Sequence, residues 1–149
     1  MKQALILHGP NLNLLGTREP DIYGTLSLAE INARLLQESQ KLDIQLRFHQ
    51  SNHEGELIGF LHEALNWAGG VVFNPAGYTH TSVALRDAVA AIRIPVVEVH
   101  LSNVSGREPF RQVSLIAPVC KGVVTGFGWR SYLYALHALV DLLDDGNDS

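Results

Sequence analysis

Two pairs of side chains give this sequence its reactive character. Arg18 and Tyr23 lie five positions apart in a stretch rich in glycine and proline, Gly16-Thr17-Arg18-Glu19-Pro20-Asp21-Ile22-Tyr23-Gly24. Taken singly, Tyr23 reads as a packing tyrosine and Arg18 as a solvated charge. Taken together they read differently, because a guanidinium beside a phenol favours the phenolate and so makes a base. Both residues in one loop suggest a lid that carries the base. Glu98 and His100 form the second pair, in Glu98-Val99-His100-Leu101-Ser102-Asn103. Positions i and i+2 of a strand share a face. A carboxylate there fixes the tautomer of the imidazole and favours its protonated form, as an acid catalyst needs. The competing reading of His100 is a satisfied core histidine.

Other polar residues sit at turn positions. Asn11, in His8-Gly9-Pro10-Asn11-Leu12-Asn13, and Asn74, in Asn74-Pro75-Ala76-Gly77-Tyr78-Thr79-His80, either close turns or face a ligand. Asp87 lies opposite the apolar stripe of its helix, with His80 seven residues earlier on a similar bearing. That face is either solvated or turned to another subunit. Arg111, after Glu108-Pro109-Phe110, reads as a surface charge at a helix start or as a carboxylate clamp. There is no Gly-Lys-Ser/Thr triplet, GxGxxG, GxSxG or HExxH. The seven histidines form no metal-ligand cluster, so no metal is expected. The single cysteine, Cys120, reads as a small core residue, and a reducing cytoplasm is the simplest compartment.

Short apolar segments must position these groups. Gln3–Leu7, Ile44–His49, Gly70–Phe73, Pro95–Leu101 and Gly122–Thr125 read as strands buried on both faces. Helical patterns separate them. One opens at Ser27 with a capping box to Glu30 and a staple of Leu26 on Ile31. Others run over about Glu54–Ala68, Thr81–Ile92 and Ser131–Leu143, the last apolar around most of its circumference. Strands alternating with helices predict a doubly wound parallel sheet, and five strands fit the flavodoxin-like order 2-1-3-4-5. Ligands of such sheets sit outside the carboxyl ends of the strands, where these Asn, His, Ser and Arg residues converge.

The composition agrees with one α/β domain over residues 1–149 with a frayed tail at 144–149. Of the 149 residues, 46% are apolar and 17% charged, which excludes disorder for the body of the chain. Net charge is 11 − 15 = −4, and lysine occurs only at Lys2, Lys41 and Lys121. With no basic run, neither nucleic acid nor an anionic membrane surface is an expected partner. No apolar window is long enough for a transmembrane helix.

Several long stretches resemble the type II 3-dehydroquinate dehydratases. They are Gly9-Pro10-Asn11-Leu12-Asn13-Leu14-Leu15-Gly16-Thr17-Arg18-Glu19-Pro20 with Tyr23-Gly24, then Asn74 to Ser82, then Leu85-Arg86-Asp87-Ala88, then Glu98 to Asn103. The similarity runs in order over nearly the whole chain. It implies a flavodoxin-like fold and a cofactor-free, metal-free enzyme. Such enzymes convert 3-dehydroquinate to 3-dehydroshikimate in the shikimate pathway to aromatic amino acids, through an enolate, as dodecamers of four trimers. By that resemblance Tyr23 is the base, supported by Arg18, and His100 is the general acid, held by Glu98. Asn11 positions the water or oxyanion near the enolate. Asn74, His80, Arg111, Ser102 and the backbone of Leu101 bind the substrate, and Asp87 reaches the substrate of a neighbouring subunit.

Val104-Ser105-Gly106-Arg107 and Gln112-Val113 depart from the family's common residues, and Gly126 to Arg130 match loosely; none is expected to be catalytic. No lysine stands near the strand ends to form an imine. The alternative is a flavodoxin-like flavin- or nucleotide-binding protein. It would need a Ser/Thr/Gly-rich phosphate loop where Pro10 to Leu15 stand. A receiver-type signalling module would need an aspartate where Asn74 stands.

Overall fold

Runs of β-branched and apolar residues become the strands, buried on both faces in the middle of the sheet but, against expectation, partly exposed in the two edge strands over residues 44–50 and 122–125. In the computed structural model, which describes residues 2–146, these are β1 (Lys2–His8), β2 (Ile44–Gln50), β3 (Gly70–Asn74), β4 (Val96–His100) and β5 (Gly122–Thr125). All four strand pairings are parallel and the order is β2-β1-β3-β4-β5, as expected. Helices cover both faces: α1 (Pro20–Tyr23), α2 (Leu28–Leu42), α3 (Glu54–Ala64), α4 (Val83–Ile92) and α5 (Arg130–Asp145).

Alternation along each strand divides the core in two. Ala4, Ile6, Val72, Val97 and Val99 pack against α2 and α5. Leu5, Leu7, Val71, Phe73 and Val96 pack against α3 and α4. Both halves of the capping box are present at α2, Glu30 N–H to Ser27 Oγ at 3.1 Å and Ser27 N–H to Glu30 Oε1 at 3.3 Å. Leu26 and Ile31 join the same apolar cluster, as the staple requires.

Three details correct the sequence reading. Helix α3 stops at Ala64, four residues early. The Ala64 carbonyl takes the N–H groups of both Trp67 and Ala68, tightening the chain so that Gly69 can bond Gln3 and enter β3. Helix α5 is amphipathic. Tyr132, Leu136, Leu139 and Val140 are buried in its own core, while Tyr134, His137 and Asp141 face out. It also continues through Asp144 and Asp145, so the expected fraying does not begin there; residues 147–149 lie outside the described residues. The four-residue α1 had no clear helical pattern.

Candidate active site

The carboxyl ends of β1, β3 and β4 open into one cleft. Their close approach depends on Gly9. Its N–H donates to the Asn74 carbonyl at 2.7 Å. A Cβ there would lie 2.7 Å from the Pro75 carbonyl oxygen and 2.9 Å from that of Asn74, so backbone would have to move. A glycine is the residue that lets the first and third strand ends meet.

One wall of the cleft is built on the sheet. Glu98 and His100 project from the same side of β4, and His100 Nε2 lies 2.5 Å from Glu98 Oε2. Glu98 is sealed from solvent, and its carboxylate is well supplied with donors. Thr79 Oγ1 donates to Oε2 at 2.8 Å, and Ser114 Oγ lies 3.0 and 3.2 Å from the two oxygens. A carboxylate only accepts, so the Nε2 hydrogen of His100 points at Glu98. Nδ1 has no partner among the described residues, and His100 lines the cleft. His80 lines the same cleft. Its Nδ1–H donates to the Val113 carbonyl at 2.8 Å, leaving Nε2 as the free nitrogen.

The other wall is built on a loop. Pro20 starts the single helical turn of α1, Gly24 ends it with φ of 87°, and Tyr23 is its last, half-buried residue. Two guanidiniums meet the phenol. The Arg18 carbon Cζ lies 4.5 Å from the centre of the ring, a cation–π contact. The hydroxyl itself is held by a residue assigned no role above, Arg107, whose Nη1 donates to it at 2.9 Å. Arg107 also approaches Ser102 Oγ at 3.4 Å. The direct cationic partner of the Tyr23 oxygen is therefore Arg107, and Arg18 acts on the ring face. The available signal was a second arginine four residues before Arg111, on the segment following β4.

The remaining candidates divide. Asn11, in the left-handed region at φ 68°, lines the cleft, with its N–H on Asn52 Oδ1 at 3.0 Å. Asn74, Leu101 and Ser102 line it from the strand ends. Arg111 also lines it, on a short 3-10 turn, so it is no plain surface charge. Its Nε donates to Glu108 at 2.5 Å. The Glu108 backbone amide first, and then the Arg111 guanidinium, hold that carboxyl below its usual range. Asp87 does not line the cleft of its own chain; it is exposed on α4. His80 shares no helix face with it, because His80 ends a separate 3-10 turn before Ser82 caps α4. Cys120 packs against the second apolar cluster, where burial, with the Glu98 charge second, pushes its thiol up to about 12. A thiol so protonated is a poor nucleophile.

The cleft thus sets a phenol under two guanidiniums across from an imidazole held by a buried carboxylate. That arrangement suits removal of one proton and delivery of another. Comparisons with known proteins lead to the same place. The family model described as dehydroquinase class II matches residues 2–140. The chain is 55% identical over 147 residues to a 3-dehydroquinate dehydratase of Synechocystis, covering 99% of this chain and 97% of that one. It is 51% identical to the 3-dehydroquinate dehydratase of Halothermothrix orenii, with 99% of each covered. The crystal structure of a type II dehydroquinase from Butyrivibrio crossotus superposes with a TM-score of 0.91 at 41% identity, over 93% of this chain and 97% of that one. From the strand order to the full-length sequence similarity, every comparison agrees: this chain belongs to the class II dehydroquinase family.

Proposed function

We propose that this protein dehydrates 3-dehydroquinate to 3-dehydroshikimate, as a step of the shikimate pathway to aromatic amino acids. The observation that carries this reading is the placement of Tyr23 and the Glu98–His100 pair in one cleft. The Tyr23 phenolate takes a proton from the carbon beside the ketone, giving an enolate and a neutral phenol. Arg107 donates to the oxygen and Arg18 lies over the ring face, so two cations stand beside the phenolate that the reaction uses. Protonated His100 then gives its Nδ1 proton to the departing hydroxyl, which leaves as water while the enolate collapses to a conjugated enone. Proton transfers return Tyr23 and His100 to their starting forms, so the net change is loss of one water. Asn11 holds the enolate oxygen or a water beside it. Arg111 is a carboxylate clamp, and Asn74, His80, Ser102 and the Leu101 backbone bind the remaining oxygens.

The reaction needs no covalent imine. Lysine is absent from the cleft lining, and Lys2 is engaged by Asp144 at 2.7 Å. The test is ultraviolet absorbance on addition of 3-dehydroquinate, since the conjugated product absorbs where the substrate does not. A steady rise is expected, and borohydride quenching should leave no adduct by mass spectrometry. A flat trace from folded protein, or a substrate adduct, overturns the reading.

The assembly we propose is a dodecamer of four trimers in which Asp87 serves a neighbour's site. Its exposed place outside its own cleft supports this. Mixing dissociated Tyr23→Phe and Asp87→Ala proteins should restore part of the activity on reassembly. Hybrids that stay at the parental level would return Asp87 to a solvated face.

A further inference from the structure

His8 ends β1 directly beside Asn74 in the sheet register and takes no part in the chemistry above. Its side chain is sealed from solvent, yet both ring nitrogens have partners. Nε2 lies 2.9 Å from Asn32 Oδ1 on α2, and Nδ1 lies 2.8 Å from the Tyr132 hydroxyl on α5. Tyr132 is equally sealed, and its hydroxyl lies 3.0 Å from Asn74 Nδ2.

One fixed point sets every proton in this chain. The Ala76 backbone N–H donates to Asn74 Oδ1 at 3.0 Å, so the amide presents its nitrogen to Tyr132. An amide nitrogen only donates. The Tyr132 oxygen therefore accepts from Asn74, and its own hydrogen must go elsewhere. His8 Nδ1 is the acceptor within reach. Nδ1 is then without hydrogen, Nε2 carries it, and Asn32 must offer its oxygen, as found. Reversing any member would leave a buried hydroxyl without an acceptor, which costs more than the bond itself contributes. Burial also holds the imidazole neutral, lowering it to about 4 against a weaker opposing effect of Asn32. Apart from Asn32 and Tyr132, the ring contact of His8 is with Phe48 on β2, so none of these partners is charged at neutral pH.

This chain uses one of the two Nδ2 hydrogens of Asn74. The other has no acceptor among the described residues, and Asn74 lines the cleft. We propose that His8 is a positioning residue: as the Nε2–H tautomer it takes the Tyr132 hydroxyl hydrogen, which frees the Tyr132 oxygen to accept from Asn74 and so holds the amide, oriented by Ala76, with its remaining N–H toward a substrate oxygen. The inference rests on the reading of the cleft as the dehydratase site, and it makes Asn74 a selector of acceptor oxygens through two residues that never touch substrate.

The test is steady-state kinetics with 3-dehydroquinate on Tyr132→Phe, His8→Leu, Asn74→Ala and their pairs. Tyr132→Phe keeps the ring and deletes only the relay oxygen. It should lower kcat/KM about tenfold, mostly through KM, the size expected for one misdirected hydrogen bond. His8→Leu should match it, and the pair should be no worse than either. In the Asn74→Ala background, Tyr132→Phe should have no further effect on KM, which loss of general stability would not produce. Wild-type KM in Tyr132→Phe alongside an impaired Asn74→Ala overturns the relay, as do losses that simply multiply. Wild-type KM in Asn74→Ala would instead remove Asn74 from the site. If His8→Leu does not fold, the Tyr132 and Asn74 arms decide the matter alone.

Discussion

The two walls of the cleft are built to different standards of rigidity. His100 stands on a central strand, is 6% exposed, and is tied to a carboxylate that Thr79 and Ser114 also hold. Tyr23 stands on a single helical turn between Glu19 and Gly24, both at positive φ, and its hydroxyl has one donor, on a separate loop. The imidazole is thus a fixed feature of the sheet. The proposed base instead meets its two guanidiniums where two loops join, one carrying Arg18 and Tyr23 and the other Arg107.

Substitutions on the two walls should separate activity from stability. Tyr23→Phe should lower kcat by about a thousandfold or more, with Tm within about 2 °C of wild type, because nothing buried depends on that hydroxyl. Unchanged kcat would remove Tyr23 as the base. Arg107→Ala and Arg18→Ala should each lower kcat by about a hundredfold or more. A loss confined to KM would make that arginine a substrate clamp instead. His100→Ala should cost about a hundredfold in kcat, the lower range for general acid catalysis, and should also lower Tm by several degrees. The reason is that Glu98 would stay buried without its closest partner. Thermal scans that show no difference between Tyr23→Phe and His100→Ala would erase the contrast between the walls.

The smallest effect on turnover comes from His8. Its folded pKa of about 4 lies below the ordinary value of 6.5. Between those values the unfolded chain binds a proton that the folded chain does not, so stability is full above pH 6.5 and falls as pH drops toward 4. The loss is on the order of 3 kcal/mol across that window. Urea titrations at pH 7 and pH 4.5 should show it in the wild type, and His8→Asn should show a flatter profile. Equal slopes would mean that His8 is protonated within the fold.

Strand order, the α2 cap and the Glu98–His100 pairing could be read from the sequence because each depends on local spacing. Period-two burial sets the strands, a three-residue interval sets the capping box, and i, i+2 geometry sets the dyad. Arg107 and the His8–Tyr132–Asn74 chain could not be read that way. Arg107 meets Tyr23 across 84 positions, and Tyr132 meets His8 across 124. Such meetings are decided by how loops and the last helix pack, for which one sequence has no period. The expected helix face shared by Asp87 and His80 failed for a related reason. Its bearing on a helix was readable, but the 3-10 turn that detaches His80 from that helix was not.

The position of Tyr132 also has a meaning during synthesis. A ribosome delivers β1, β3 and the residues of both cleft walls well before it delivers α5, the last helix. Until Tyr132 arrives, His8 and Asn74 face each other with no hydroxyl between them, so a nascent chain carries the cleft's components without their final orientation. Tying β1 to α5 makes the orientation of the site depend on a residue synthesised 124 positions after His8. A chain released before α5 would lack both that orientation and the cover over one face of the sheet.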